Sequence, residues 1–263
     1  MNFKDKVIWI TGASSGIGEA MAYAFAEQGA DLILSARNEK ELSRVQQNCP
    51  KHTRTLVLPM DVTDFDAMSG LAARAVNHFG KINVLVNNAG ISQRALVKDT
   101  ALAVDRKIMD VNFIGTVAVT KAVLPYMIRQ KNGHIIAISS VMGKIGTPRR
   151  SAYAASKHAL HGFFDCLRAE VAEQNIQVTI ICPGYVHTNV SINALTADGS
   201  PNNQMSDDSK SGLQPEEFAV KALKAIYKKK EEVYIGKREI LGIYLKRYAP
   251  WVLSRVVRGM KVT

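Results

Sequence analysis

Cysteine is scarce in this chain, and the little there is lies dispersed. Cys49, Cys166 and Cys182 are three among 263 residues. They form no C-x-x-C pair and no spacing that suits a metal cage, so reduced thiols in a cytoplasmic setting are expected, with neither a disulfide framework nor a metal site. A run of 18 or more apolar residues is also missing, so no segment reads as a transmembrane helix. The opening stretch MNFKDKVIWITG passes within a few residues into a strand pattern, which argues against a cleaved leader. Nucleic-acid motifs are lacking too, although the net charge is +11. That charge is local, because residues 221–263 hold 12 of the 34 Lys and Arg but 3 of the 23 Asp and Glu, putting +9 there and +2 on the rest. A nucleic-acid reader carries a basic face interleaved with aromatics, so no nucleic-acid partner is expected.

What is present is a steady alternation of apolar runs with helical patterns. KVIWITG, DLILSAR, TLVLPMDV, INVLVNNAG, GHIIAISS and IQVTIICPG read as strands, with EEVYIG a weaker seventh. Helical periodicity covers 17–29, with Gly29 as C-cap, and recurs from about 39, from about 64, over 101–129 and from 152. The strand runs are continuously apolar, so both sheet faces are covered. This predicts an α/β doubly wound Rossmann fold with a parallel sheet of about seven strands. Residues 1–237 form one catalytic domain and 238–263 a basic, apolar extension. The polar segment 184–214 lacks periodicity and follows the carboxyl end of a strand, which suits a loop covering a substrate.

TGASSGIG, residues 11–18, sits between the first strand and the first helix. Backbone N–H groups at a helix N-terminus favour a pyrophosphate, and glycines let the backbone approach it. Gly12, Ser14, Ser15, Gly16, Ile17 and Gly18 are therefore candidate dinucleotide contacts. The spacing is G-x-x-x-G-x-G rather than the general G-x-G-x-x-G fingerprint. About 20 residues on, a carboxylate would bind a ribose 2′-hydroxyl and an arginine would accommodate a 2′-phosphate. LSARN offers Arg37 and no acid, which points to NADP(H).

SAYAASKHALHGFF places Tyr153 and Lys157 at i and i+4, one turn apart on a helix face. A phenol titrates near 10 unaided, and a neighbouring ammonium favours the phenolate, making Tyr153 a candidate general acid and base. Ser140, 13 positions earlier at a strand end, can hold a substrate oxygen. Ser139 beside it is the other candidate, and strand alternation lets one of the two face the pocket. Asn112 is polar where a long helix wants an apolar residue. Hydrolase chemistry finds no support, since His134, His158 and His161 have no evident carboxylate to orient them and Cys182 precedes Pro183 in a strand end.

TGASSGIG, NNAG at 87–90, Asn112, IIAISS, the Y-A-A-S-K of 153–157 and PG at 183–184 together resemble the short-chain dehydrogenase/reductase superfamily. TGASSGIGEA, GISQR, YAASKHALHGFF and ICPG resemble its dehydrogenase/reductase member 7-like branch. The resemblance implies an oxidoreductase in which Lys157 also bonds the nicotinamide ribose and Asn112 places a water that relays protons to Lys157. It implies that Asp61 meets the adenine, that Asn88 and Gly90 line the adenosine ribose side, that Thr188 approaches the nicotinamide carboxamide, and that Val62, Ala89, Pro183, Gly184 and Val186 complete the cofactor shell. It further implies a homodimer or homotetramer. Val141, Met142, Gln93 and Tyr185 shape the substrate pocket, for which a hydrophobic carbonyl or alcohol is expected. A catalytically silent redox sensor on the same fold is the alternative. Residues 240–262 mix aromatics with Lys246, Arg247, Arg255, Arg258 and Lys261, a pattern for peripheral membrane contact or for packing over the pocket.

Overall fold

The structure, a computed structural model, describes residues 1–260; Lys261 and Val262 of the tail lie outside the described residues. The chain opens with β1 (Val7–Thr11), α1 (Gly16–Ala26), β2 (Asp31–Ser35), α2 (Glu39–Asn48) and β3 (Thr55–Val57). It continues through α3 (Met68–Phe79), β4 (Val84–Asn87), α4 (Leu102–Met109), α5 (Gly115–Gln130), β5 (Gly133–Ile138), α6 (Ser151–Glu170) and β6 (Ile176–Pro183). A short α7 (Asp207–Lys210), α8 (Pro215–Tyr227), β7 (Glu232–Ile235), α9 (Leu241–Tyr248) and α10 (Pro250–Arg258) complete it. All seven strands join one parallel sheet in the order β3-β2-β1-β4-β5-β6-β7. The chain winds outward from β1 to β3 and then returns to β4, so a crevice opens between β1 and β4 at the strands' carboxyl ends.

Alternation along each strand divides the core into two layers. Ile8, Ile10, Leu32, Leu34, Val86 and Ile136 face α1 and α8, packing on Met21, Phe25 and Phe218. Val7, Trp9, Ile33, Leu85, Ile135 and Ile180 face the other way, onto Ala72, Val123 and Phe164. The indole of Trp9 satisfies its N–H on the Ser35 hydroxyl at 2.9 Å, so the largest buried ring costs no hydrogen bond. Glu232, from the expected weak strand, pairs with Ile180 at the sheet edge.

Three elements depart from their sequence expectations. The first helix ends at Ala26, with Gly29 beyond it in a left-handed turn, because the chain must reverse there to enter β2. β3 is three residues long, since beyond Val57 only isolated backbone bonds such as Leu58 N to Leu34 O continue the ladder. The helix expected over 101–129 is broken by one π turn, Asp110–Ile114. By length and hydropathy the helical run 102–130 could cross a membrane. Here its buried residues Val119, Val123 and Met127 pack against the sheet, and Asn112 sits within it, so it serves as a core layer.

Candidate active site

The first turn after β1 is built for close approach. Gly12 has φ +65°, and a Cβ on it would lie 2.9 Å from the Ala89 Cα; one on Gly18 would lie 2.2 Å from the Gly12 carbonyl oxygen. No side chain other than hydrogen fits at either position. Asn88 holds this turn in place by donating its amide to the carbonyls of Thr11 (3.0 Å) and Gly12 (3.1 Å). Thr11 adds a second tie, its hydroxyl accepting from the backbone N–H groups of Asn88 and Ala89 at 3.0 Å. Asn88, expected on the ribose side, and Thr11, which no motif singled out, both shape the turn. Arg44, also not foreseen, grips Glu19 of α1 through both guanidinium nitrogens (2.7 and 2.9 Å) and reaches the Ser14 carbonyl.

At the α1 N-terminus the Ser15 side chain makes no cap, which leaves the dipole end open to an anion. Thr188 comes over this end: a Cβ on Gly16 would touch its Cγ2 at 3.0 Å. Gly16, Ile17, Gly18 and Thr188 thus share one cradle, with the buried Pro183 and Val186 behind it. Gly184 approaches Glu239, whose carboxylate accepts from the Tyr185 N–H at 2.9 Å and so fixes the chain where it leaves β6. At the far side Arg37 and Asp61 line a cavity of about 370 Å³ together with Thr63, Arg106, Lys107 and Asp110. Asp61 binds the Thr63 N–H and hydroxyl; although burial opposes it, these bonds and Arg37 hold its carboxyl below the usual range. Val62 turns inward against Gly115 of α5. A second cavity, about 540 Å³, is lined by Asn2, Asp5, Asp31 and Arg54 at the strands' amino ends, away from the crevice. These residues fit a dinucleotide in shape and charge, on the evidence of a cradle that a single Cβ would fill.

Beside the crevice, α6 carries Tyr153 and Lys157. Lys157 is buried and donates from Nζ to the Ile138 carbonyl at 2.8 Å, the last residue of β5. Burial disfavours the ammonium and brings the amine down to about 8. Its Nζ lies 5.8 Å from the Tyr153 ring centroid. Tyr153 differs from the sequence expectation of an acidified phenol: burial raises it, and the groups that pull it back are Ser140 through a hydrogen bond, then Arg150 and Arg94. The lysine's charge is partly spent on a carbonyl, and two arginines stand nearer in effect.

Ser140 has an extended backbone and accepts from the Met142 N–H at 3.1 Å, at the entry to a 3-10 turn, Val141–Gly143. Ser139 faces inward, its hydroxyl 3.2 Å from the Lys157 carbonyl and 3.0 Å from His161 Nε2. Asn112 is wholly buried in the π turn, where the extra residue re-aims its side chain off the helix periodicity. Its Oδ1 accepts from the Ile91 N–H (2.8 Å), and its Nδ2 donates to the Ile91 carbonyl (2.9 Å) and to the Ser156 hydroxyl (3.0 Å). Ser156 in turn donates to the Tyr153 carbonyl at 2.8 Å. Asn112 and Lys157 flank Gly90, where a Cβ would lie 3.1 Å from Asn112 Oδ1 and 3.6 Å from Lys157 Nζ.

His161 corrects a second expectation. Its Nδ1 lies 3.3 Å from Glu232 of β7, and its Nε2 faces Ser139, giving a serine, a histidine and a carboxylate in a row. The sequence hid this because Glu232 lies on the seventh strand, 71 positions from His161. Burial works to raise Glu232, but the neighbouring His161, Tyr234 and Lys144 outweigh it and hold the carboxyl at about 2. Cys182 lies 3.7 Å from the same Nε2, so its thiol, His161 and Glu232 could converge on an ion. Lys144 already supplies a cation at 2.9 Å from Glu232, and burial pushes the Cys182 thiol up to about 12, where it stays protonated. The row ties α6 to β5 and β7. His134 bonds Thr179 at 2.8 Å and His158 meets the Ala154 carbonyl, neither paired with a carboxylate among the described residues.

A doubly wound parallel sheet with a glycine-rich first turn, and with tyrosine, lysine and serine gathered at its carboxyl edge, defines a dinucleotide-dependent oxidoreductase. The short chain dehydrogenase family model matches residues 6–198, and the chain belongs to that family. It is 44% identical over 262 residues to dehydrogenase/reductase SDR family member 7B of Bos taurus, covering 97% of this chain and 81% of the relative. A short-chain dehydrogenase from Streptomyces avermitilis superposes with a TM-score of 0.82 at 29% identity, across 97% of this chain and 100% of that one. A Burkholderia phymatum short-chain dehydrogenase/reductase, solved in complex with NAD, shares the fold at a TM-score of 0.85 and 23% identity, covering 96% of both chains.

Proposed function

We propose that this chain is an NADP(H)-dependent oxidoreductase that interconverts a carbonyl and an alcohol on a hydrophobic substrate, with Tyr153 as general acid and base. The observation that carries it is the placement of Tyr153, Ser140 and Lys157 beside the glycine cradle, within one wall formed by β5 and α6. A nicotinamide bound there supplies a hydride to the carbonyl carbon in reduction and accepts one in oxidation. Tyr153 gives its phenolic proton to the carbonyl oxygen in reduction and takes it back in oxidation. Ser140 holds that oxygen against the phenol. Lys157, with its pKa brought down to about 8, exchanges protons readily near neutrality. The tie from Asn112 through Ser156 to the Tyr153 carbonyl fixes the first turn of α6, so the phenol does not wander.

NADP(H) is favoured by Arg37, which shares its cavity with Arg106 and Lys107. The NAD bound to the Burkholderia relative keeps NAD(H) as the competitor to be measured. The hydrophobic substrate follows from Val141, Met142 and Ile145, which cluster with Ile243 of α9 and Leu253 of α10 next to Tyr153. The outer side of the same two helices exposes Tyr248 (76%) and Trp251 (70%) among Lys246, Arg247, Arg255 and Arg258. That combination suits peripheral contact with an anionic membrane surface, from which an apolar substrate could be drawn.

The test is a panel of carbonyls and alcohols followed by NADPH absorbance, run on the wild type and on Tyr153→Phe. The variant is expected to lose about 10²–10⁴ in kcat while cofactor affinity holds. Full activity in Tyr153→Phe overturns the assignment. Tight cofactor binding with no turnover by the wild type supports the silent redox sensor instead.

A further inference from the structure

Arg150, the residue immediately before α6, is 5% exposed, and its Nε and Nη2 have no hydrogen-bond partner among the described residues. A guanidinium stays charged at any ordinary pH and presents a fork of donors shaped for a carboxylate or phosphate. Burying one with two donors idle is unfavourable, because water has been stripped from a charge and no acceptor takes up those two N–H groups. Folds retain such a group where a ligand completes it.

The surroundings say where that ligand sits. The Arg150 guanidinium carbon lies 5.7 Å from the ring centroid of Tyr185, the residue two positions past β6. Arg94, equally buried, donates from Nη1 to the Ser92 hydroxyl (3.0 Å) and to the Gln93 carbonyl (2.7 Å). Burial and then repulsion from Arg150 bring Arg94 down to about 10, so the two cations feel each other. Both also act on the Tyr153 phenol, which places their positive field at the reacting position. The apolar Val141, Met142 and Ile145 pack in one cluster against the same Tyr153.

We infer that the substrate is an amphiphile whose carbonyl lies between an apolar tail and an anionic group, carboxylate or phosphate, and that Arg150 binds that anion beside Tyr153. This rests on the oxidoreductase reading and narrows its substrate class. The fork forms charge-assisted, bidentate bonds with the anion, and this sets how far along the substrate the carbonyl meets the phenol. A wholly neutral ketone leaves the guanidinium unpaired in the closed pocket and is the poorer substrate.

Two measurements on the full chain test it. The first is a thermal shift with hexanoate, hexyl phosphate or hexanol, which needs neither cofactor nor turnover. The anions are expected to raise the wild-type midpoint and hexanol to leave it unchanged; Arg150→Met abolishes the shift and Arg150→Lys keeps part of it. The larger of the two anion shifts separates carboxylate from phosphate. The second compares a long-chain 3-oxo acid with its methyl ester. The wild type is expected to prefer the acid at least ten-fold in kcat/KM, and Arg150→Met to erase that preference mainly through KM. Anion shifts equal in wild type and Arg150→Met, or an ester reduced as well as the acid, overturn the proposal and leave the oxidoreductase reading standing. If the wild type reduces neither compound nor any carbonyl of the wider panel, that reading fails, and the thermal shifts still decide the anion site. Should Arg150→Met not fold, the wild-type comparisons and Arg150→Lys carry the decision alone.

Discussion

Replacing Lys157 by methionine removes a buried ionisable nitrogen and leaves a side chain of similar length that suits a helix. In the folded chain the amine sits at about 8 instead of 10.5, with burial as the cause. The unfolded chain keeps its proton up to about 10.5, whereas the folded chain releases it near 8, so between those values the unfolded state binds more protons and wild-type stability rises with pH. Below pH 8 both states are protonated and the whole cost applies, roughly 3 kcal/mol at about 1.36 kcal/mol per pKa unit. Methionine escapes that cost but forfeits the bond to the Ile138 carbonyl, worth about 1 kcal/mol. The variant is therefore expected to be more stable than wild type by about 2 kcal/mol at pH 7, a rise in Tm of roughly 4–8 °C for a domain of this size. By pH 10 the wild-type cost has fallen to about 1 kcal/mol, and the advantage vanishes. Urea unfolding of both proteins at pH 7, 8, 9 and 10 measures the difference, in which titrations common to the two cancel. A gap that stays constant across this range, or a variant already less stable at pH 7, refutes the reasoning. The same substitution is expected to abolish turnover, which would show stability given up for chemistry at this position.

Other outcomes follow from the rest of the site. Arg37→Asp should lower the ratio of NADP(H) to NAD(H) efficiency at least several-fold, and an unchanged ratio removes Arg37 from the 2′-phosphate. His161→Ala breaks the row from Ser139 to Glu232 and opens a cavity between α6 and the sheet, at an expected cost of about 2 kcal/mol in chemical denaturation; a loss below about 0.5 kcal/mol would show the row to be idle. In co-sedimentation, the full chain should bind vesicles rich in anionic lipid more than neutral ones. The double variant Tyr248→Ser, Trp251→Ser should lose most of that binding without losing the Ile243 packing. Equal binding by the double variant rules out the tail helices as a membrane contact.

The glycine turn was legible because a positive φ at Gly12 and the contact distance at Gly18 admit nothing larger than hydrogen, so the residue type itself records the geometry. The strands were legible for a similar reason: burial on both faces writes an unbroken apolar run. Asn112 stood out as polar on an apolar face, but periodicity had no means of showing the π turn that carries it, since the extra residue leaves composition untouched. The end of the third strand was overread because LPMDV is apolar enough for a strand, while its ladder is decided by how far β2 extends beside it.

Local sequence determined which segments become strands and helices, where the backbone must come close to a ligand, and that a phenol and an amine share one helical turn. Those follow from side-chain volume, periodicity and backbone sterics, all of which act over a few residues. Tertiary structure alone decided that Glu232 reaches His161, that the Asn88 amide braces the turn, and that Arg94 and Arg150 press their charge on Tyr153. Electrostatics and hydrogen bonding between distant segments depend on which surfaces the sheet brings together and how much water it removes from between them, and neither quantity is written in the order of the residues.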